Sequence, residues 1–222
     1  MDIKKYSTVE GSKKAIGLTV VIDVLRACTT IPILLKNGAN TIIPIKKIDE
    51  AKLYRDKKYI LIGKGRDGHI HDTFHHCNSP SEIELIDFRE KNIIIRTNNA
   101  TQAIHNAINA EEIVLASFVN LDAIVKYILD TNAEQVTLLP IGRLNKKGLE
   151  DELCAQAIEA KIKKEPVDIQ KIKENVKECT CAILVSDTLG KPRDVDMALK
   201  FNSYPIVQKV YNEGGIKIIK SL

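Results

Sequence analysis

The feature that most constrains the fold of this chain is a regular alternation of short β-branched runs with helical patterns. Six runs are continuously apolar and rich in Ile and Val, as strands covered on both faces of a sheet usually are. They lie at 18–23, 40–45, 59–63, 92–97, 112–117 and 135–142. Helical patterns lie between them, at 26–37, 48–57, 99–110 and 120–131. This alternation predicts an α/β fold with a mostly parallel sheet and helices on both faces.

The pattern changes after residue 148. Residues 149–164 form a long helical pattern that ends before Pro166, and a second one covers 168–186. A shorter helix is expected at 193–203, and two late strands around Gly214 and Gly215 predict a hairpin. There is no internal repeat and no clean linker, so we expect a single domain over 1–222 with a change of organisation near 148–222.

Composition excludes several classes of protein. The net charge is only +4, lysines are interspersed with acids, and aromatic residues are 5% with no Trp, which argues against a nucleic-acid platform. The first fourteen residues are charged and contain no apolar leader, and no apolar run approaches the ~20 residues of a membrane span. We therefore expect neither membrane nor nucleic-acid partners. Five scattered cysteines predict a reduced, cytoplasmic protein; they are Cys28, Cys77, Cys154, Cys179 and Cys181.

Polar segments follow five of the six predicted strands. Ligand sites in open parallel sheets form beyond the carboxyl ends of the strands. We therefore expect these segments to open on one edge of the sheet and to line one pocket.

The first segment contains Asp23 and Arg26, followed by Thr29 and Thr30 at the start of a predicted helix. One interpretation is a helix cap in which Asp23 pairs with Arg26, and spacing alone favours it. The other is an anion site, in which the arginine, the two hydroxyls and the helix amides face one cavity.

Two further junctions allow the same pair of interpretations. Thr97, Asn99 and Thr101 lie where a strand passes into a helix, either as a neutral oxygen-binding rim or as a helix cap. Glu150 and Asp151 begin the long helix, where acids favour the helix dipole. Facing Asp23, the same carboxylates would instead suit a hard divalent cation such as Mg²⁺.

The segment after the third strand contains four of the five histidines, but their spacing matches no zinc-finger pattern and favours a partly exposed loop. Lys64 and Arg66 in this loop would bring positive charge over an anionic ligand.

The order of these motifs resembles that of a known enzyme family. "VIDVLRACTT", "CNSP", "RTNNAT", "ASFVN" and "GLEDELCA" occur in this sequence over about residues 18–160, and together they resemble the motifs of the 2-phosphosulfolactate phosphatase family. A fainter similarity continues in "RDVDMALKFNSYPIV". Each motif is weak alone, but five in order are fairly specific.

The resemblance implies Mg²⁺-dependent hydrolysis of the phosphate monoester of a small 2-hydroxy acid bearing a sulfonate, in the coenzyme M branch of metabolism. It implies catalytic roles for Asp23, Arg26, Glu150 and Asp151, and metal binding by the three carboxylates. The substrate-binding residues expected beside them are Thr29, Thr30, Arg66, Asn78, Ser79, Asn99 and Thr101. The expected binding partner is a small anionic phosphorylated substrate. The sequence does not fix the oligomeric state, and a homodimer is compatible with it.

Several positions depart from the family pattern. Cys28 and Cys77 replace a hydroxyl residue and a glycine, and the loop before "CNSP" lacks the usual glutamate. The alternatives are therefore a phosphatase for a different phosphorylated acid, or a non-catalytic anion-binding relative. The sequence also leaves open whether Asp23 activates water or forms an aspartyl phosphate, and Cys28 is a less favoured nucleophile.

Overall fold

The fold is built on a single sheet in which the strands of one half run opposite to those of the other half. The computed structural model describes residues 1–54, 57–63 and 71–222. Within these residues nine strands form one sheet. They are β1 (Asp2–Lys5), β2 (Gly17–Ile22), β3 (Thr41–Ile45), β4 (Tyr59–Gly63), β5 (Asn92–Arg96), β6 (Ala110–Ala116), β7 (Gln135–Pro140), β8 (Gln208–Glu213) and β9 (Ile216–Ser221).

The strand order is β1-β7-β2-β6-β8-β9-β3-β5-β4. Strands β1, β7, β2 and β6 are parallel to one another, and so are β3, β5 and β4. The hairpin β8–β9 lies between these halves and pairs antiparallel with β6 on one side and β3 on the other. Three successive antiparallel pairings reverse direction, so the two parallel halves run oppositely within the sheet.

This arrangement corrects the expectation that all the strands open on one edge. The two halves have their carboxyl ends at opposite edges, yet Nδ2 of Asn99, after β5, donates to the carbonyl of Gly142, after β7, at 2.9 Å. Six strand spacings separate β5 from β7, which is about 29 Å in a flat sheet. Sheet twist of roughly 20–25° per strand accumulates to about 120–150° over that span. Twisting and curling therefore bring the two sets of strand ends together in space.

The helices cover both faces of the curled sheet. They are α1 (Thr8–Gly11), α2 (Ala27–Lys36), α3 (Ile48–Lys52), α4 (Pro80–Ile83), α5 (Ala100–Asn106), α6 (Leu121–Asp130), α7 (Leu149–Ile162), α8 (Ile169–Lys177), α9 (Thr180–Ile183) and α10 (Pro192–Ala198). Short 3₁₀ segments lie at Ser12–Lys14 and Phe118–Asn120, and a π-helical turn spans Leu184–Thr188.

Three apolar clusters show how the layers pack. One cluster joins Ile31 of α2 and Ile104 of α5 to inward side chains of both halves, such as Leu139 and Ile95. These two helices thus lie inside the curve of the sheet. A second cluster packs α6, α7 and α8 on the outer face of the first half, and a third packs α3 on the outer face of the other. Alternate side chains of each strand point into opposite clusters, which explains why the strands read as continuously apolar.

The predicted fold class is confirmed, including all six strands and the late hairpin. Strand β1 was not expected, and the helix expected at 168–186 is divided into α8, α9 and the π-helical turn. Among the described residues no helix is long and apolar enough to cross a membrane. The single-domain organisation stays a prediction, which one continuous sheet supports.

Candidate active site

Asp23 lies directly after β2 and is almost fully buried. Its carboxylate accepts a hydrogen bond from the backbone N–H of Ala27 at 3.2 Å, and its carbonyl accepts one from Cys28 at 2.9 Å. The carboxylate therefore contacts the first turn of α2, as the cap interpretation requires. The expected ion pair between Asp23 and Arg26 is wrong, because within the described residues Arg26 pairs with a different acid.

That acid is Asp194 at the start of α10, which sequence analysis did not place in the site. Nη1 of Arg26 lies 2.7 Å from Oδ2 of Asp194, and the two side chains are 1% and 0% exposed. Asp194 also accepts from the hydroxyl of Ser79 at 2.8 Å, and from the N–H and hydroxyl of Ser81 at 2.9 and 2.6 Å. The faint "RDVD" similarity was the signal that could have identified it.

Two polar atoms near this network have no hydrogen-bond partner among the described residues. They are Nε of Arg26 and Oδ1 of Asn78, each on a residue that is 2% exposed. Nη2 of Arg26 lies 3.9 Å from the sulfur of Cys77, the residue before Asn78. A buried donor and a buried acceptor without partners are costly, and such groups point to a ligand or water.

Asp151, in the first turn of α7, joins two strand exits of the first half. Its Oδ1 accepts from the N–H of Val24 at 2.7 Å, and its Oδ2 accepts from the N–H of Gly142 at 2.9 Å. Burial raises the pKa of this carboxyl well above its usual range, and the nearby carboxylates of Glu150 and Asp23 raise it further. The carboxylates of Asp23, Glu150 and Asp151 therefore concentrate negative charge in a region where burial and mutual repulsion destabilise it.

Metal binding by Asp23, Glu150 and Asp151 stays a prediction. Among the described residues no group of three His, Cys, Asp or Glu side chains is placed to hold a metal ion, and Asp151 directs both oxygens to backbone amides. Mg²⁺ commonly takes only one or two protein carboxylates and completes its shell with waters and substrate phosphate. Asp23 and Glu150 lie close enough to Asp151 for their charges to act on its carboxyl group.

The predicted hydroxyl groups donate to the backbone. The Thr29 hydroxyl donates to the carbonyl of Val24 at 2.8 Å, and the Thr30 hydroxyl to that of Arg26 at 3.1 Å. The Thr101 hydroxyl donates to the carbonyl of Thr97 at 2.9 Å. All three threonines are buried, and their contact with substrate stays a prediction. Their observed contacts shape the first turns of α2 and α5.

Asn99 differs from these threonines because it lines an open cleft of about 980 Å³. The cleft also contains several cationic side chains: Lys13, Lys46, Lys47, Lys52 and Arg96. Lys13 pairs with Glu10 and Lys52 with Asp49, both at 2.7 Å. Within the described residues Lys46 and Lys47 form no ion pair, so the cleft keeps positive charge for an anion.

A second cavity, of about 620 Å³, lies against the loop after β7. Leu144 lines both cavities, and the second one contains Glu150, Lys146 and Lys147. The loop after β7 therefore borders both the basic cleft and the cavity that contains Glu150.

Two other predictions can be followed only in part. Arg66 and Lys64 lie outside the described residues. Of the histidines in the same segment, His75 accepts at Nδ1 from the N–H of Leu61 at 2.9 Å, and in the part of the chain that the structure describes they form no zinc cluster.

Cys28 is a poor candidate nucleophile. It is completely buried, and burial together with the charge of Asp23 raises the pKa of its thiol well above the usual value. The thiolate is the nucleophilic form, so its population is suppressed here. All five cysteines are unbridged, as expected.

The chain is similar to known proteins along most of its length. Residues 4–213 match the family described as 2-phosphosulpholactate phosphatase. A probable 2-phosphosulfolactate phosphatase of Thermotoga maritima is 33% identical over 213 residues, covering 90% of this chain and 91% of the relative. A protein of the same description from Pseudothermotoga lettingae is 39% identical over 139 residues, covering 63% of this chain and 59% of the relative.

The matched region includes every site motif discussed above, from Asp23 to Asp194. The resemblance suggested by five short motifs is therefore confirmed at the level of the whole sequence. The chain belongs to the 2-phosphosulpholactate phosphatase family.

Proposed function

We propose that this protein hydrolyses 2-phosphosulfolactate to sulfolactate and inorganic phosphate. The observation that carries the proposal is the buried guanidinium of Arg26, whose Nε has no partner among the described residues although it lies among the family motifs. A guanidinium suits a phosphoryl group because it presents several N–H donors in one plane. Nε of Arg26 would donate to a phosphoryl oxygen, and Oδ1 of Asn78 would accept from a hydroxyl group or a bound water.

Hydrolysis of the ester needs a water molecule to attack phosphorus while the P–O bond to the alcohol breaks. The attacking water loses one proton, and the leaving alkoxide gains one. We propose Asp23 as the base that accepts the proton, since its carboxylate lies at the end of β2 and the amide of Ala27 fixes its orientation. Arg26 would stabilise the charge that collects on the phosphoryl oxygens in the transition state.

Asp23 and Glu150 would hold Mg²⁺, which supplies positive charge to the phosphoryl oxygens when it is bound. Burial raises the pKa of Asp151, and the nearby carboxylates of Glu150 and Asp23 raise it further. This concentration of negative charge supports the choice, because a cation would offset it. Asp151 would keep its observed contacts with two backbone amides.

The basic cleft supports a substrate that carries more than one negative group. A sulfonate and a carboxylate remain outside the phosphoryl group of 2-phosphosulfolactate. Lys46 and Lys47 would attract these groups, and Asn99 lies on the path from the cleft to the loop that Asp151 contacts. An enzyme of this kind needs no nucleic acid or membrane, and we propose that it acts in the cytoplasm.

The test is phosphate release from a panel of phosphorylated acids, with Mg²⁺ and with a chelator. The panel contains 2-phosphosulfolactate, 2-phospholactate and phosphoglycolate. We expect the highest kcat/KM for the sulfonated acid, and loss of turnover on chelation that added Mg²⁺ restores. Preference for another acid would indicate a phosphatase of different specificity, and tight binding without turnover would indicate a non-catalytic relative.

The choice between water attack and an aspartyl phosphate needs a separate experiment. Acid quenching during turnover of ³²P-labelled substrate preserves an acyl phosphate on the protein. We expect no labelled protein, because the proposed base takes a proton and forms no bond to phosphorus. Label retained by the wild type and absent from Asp23→Asn would establish Asp23 as the nucleophile.

A further inference from the structure

We propose that Asp194 is the positioning residue for Arg26, holding its guanidinium so that Nε faces the phosphoryl group. This inference rests on the proposed function, since it names the residue that orients the proposed phosphate ligand. It adds a residue from α10, far along the chain from the motifs around β2, β4 and β7.

The carboxylate of Asp194 is saturated by donors of the protein itself. Oδ2 accepts from Nη1 of Arg26 at 2.7 Å, while Oδ1 accepts from the N–H and hydroxyl of Ser81 at 2.9 and 2.6 Å. The hydroxyl of Ser79 lies 2.8 Å from both oxygens. A carboxylate offers about four acceptor positions, and these four donors fill them. Asp194 therefore has no capacity left for substrate or metal and acts through its neighbours.

The same carboxylate fixes both of the buried atoms that have no partner. Arg26 follows β2 in one half of the sheet, and Nε is on its guanidinium. Asn78 follows β4 in the other half and immediately precedes Ser79, which Asp194 holds. One side chain on α10 thus joins the strand exits of the two halves and sets the separation of the donor from the acceptor.

The buried environment makes this positioning effective. Arg26 and Asp194 are both almost completely buried, so water does not replace either partner. A paired guanidinium that loses its carboxylate would turn toward another acceptor, including the substrate or the nearby carbonyls. Misplacement of a binding group by about 1 Å is enough to cost about 100-fold in rate.

The test is a double-mutant cycle between Asp194→Asn and Arg26→Ala, measured as kcat/KM for 2-phosphosulfolactate. We expect each single variant to lose about 100-fold, with the loss of Asp194→Asn mainly in kcat. The double variant should lose far less than the product of the two single losses, because Asp194 acts mainly through Arg26. Asp196→Asn, which alters an exposed acid on the same helix, should retain wild-type activity.

Losses that multiply in the double variant, or an unchanged kcat/KM for Asp194→Asn, would overturn the inference. If Asp194→Asn does not fold, as judged by circular dichroism, Ser81→Ala replaces it in the cycle. That variant removes one hydroxyl donor to the carboxylate and should lose about 3- to 10-fold, again only when Arg26 is present.

Failure of the proposed function would be recognised separately. If the wild type does not hydrolyse 2-phosphosulfolactate, the same four proteins are titrated with inorganic phosphate in a calorimeter. Non-additive loss of phosphate affinity would still support the positioning role, and additive loss or equal affinity in all four would refute it.

Discussion

Replacement of Asp151 by alanine tests whether the main role of this carboxylate is structural, as the connection between the ends of β2 and β7. Its two oxygens are the acceptors for the buried amides of Val24 and Gly142. Each buried N–H left without an acceptor costs about 1–3 kcal/mol, so the two together cost about 2–6 kcal/mol. Removing a carboxylate whose pKa is raised by burial and by Glu150 and Asp23 returns part of this cost. We expect a net destabilisation of about 2–4 kcal/mol.

The assay is urea unfolding followed by circular dichroism, in the presence of a chelator so that no metal contributes. With a urea m-value near the upper end of the usual range, about 3 kcal/mol/M, the midpoint should fall by about 1 M. Asp130→Ala is the matched control, since it removes an exposed acid that pairs with Lys126. It should change the free energy of unfolding by less than about 0.5 kcal/mol.

A midpoint for Asp151→Ala within error of the wild type would refute this reasoning. The amides of Val24 and Gly142 would then have to find other acceptors at no cost. In that case the importance of Asp151 would lie in binding metal or substrate, as the family resemblance alone implies.

Three further predictions concern the loop after β7, a partly buried histidine and a buried thiol. Gly142→Ala should destabilise by more than about 2 kcal/mol in urea unfolding, because Gly142 has φ +56° and a Cβ there would lie 2.0 Å from a backbone oxygen of the same loop. Gly190→Ala, at φ +62° with nothing within 4 Å, should cost only the backbone strain of about 1 kcal/mol. Burial lowers the pKa of His105 below 6.5, so the midpoint of its NMR titration should lie below that value. The free energy of unfolding should then fall as the pH drops from 6.5 through that midpoint. A midpoint at or above 6.5 would contradict this. Cys28→Ser should keep kcat within about threefold, and loss of turnover in a folded variant would restore the thiol as nucleophile.

Much of the fold was predictable because buried strands carry a strong local signal. Continuous β-branched runs identified β2 to β7, and the Gly-Gly turn identified the β8–β9 hairpin. Strand β1 was missed because "DIKK" is short, polar and mostly exposed, as edge strands often are. The division of the helix expected at 168–186 was missed because no proline or glycine marks the break after Lys177.

The opposite direction of the two halves was not predictable from local patterns. Each βαβ unit reads the same whichever half contains it, and the reversal arises only where β8 and β9 pair with β6 and β3. The expectation of a common pocket was nevertheless useful. An all-parallel sheet would have placed these strand ends on one edge. In the observed sheet, the twist brings the ends of strands from both halves close together instead.

The candidate site was predictable to the extent that its residues follow strands. Asp23, Arg26 and Asp151 were named as candidates in this way, and Asn78 through the family resemblance. The partner of Arg26 was not, because Asp194 lies 168 residues along the chain and its segment looks like an ordinary amphipathic helix. A local pairing of Asp23 with Arg26 was the natural alternative, and tertiary packing overrode it.

The position of the hairpin has a consequence for how the molecule reaches its native state. Strands β8 and β9 follow every other strand in the chain, yet they lie at the centre of the sheet. During synthesis both halves emerge with an unpaired inner edge, at β6 and at β3, and exposed edges of this kind invite association with other chains. Completion of the fold is therefore delayed until residues 208–221 have left the ribosome, and mutations that weaken the hairpin should reduce the yield of soluble protein more than its thermal stability.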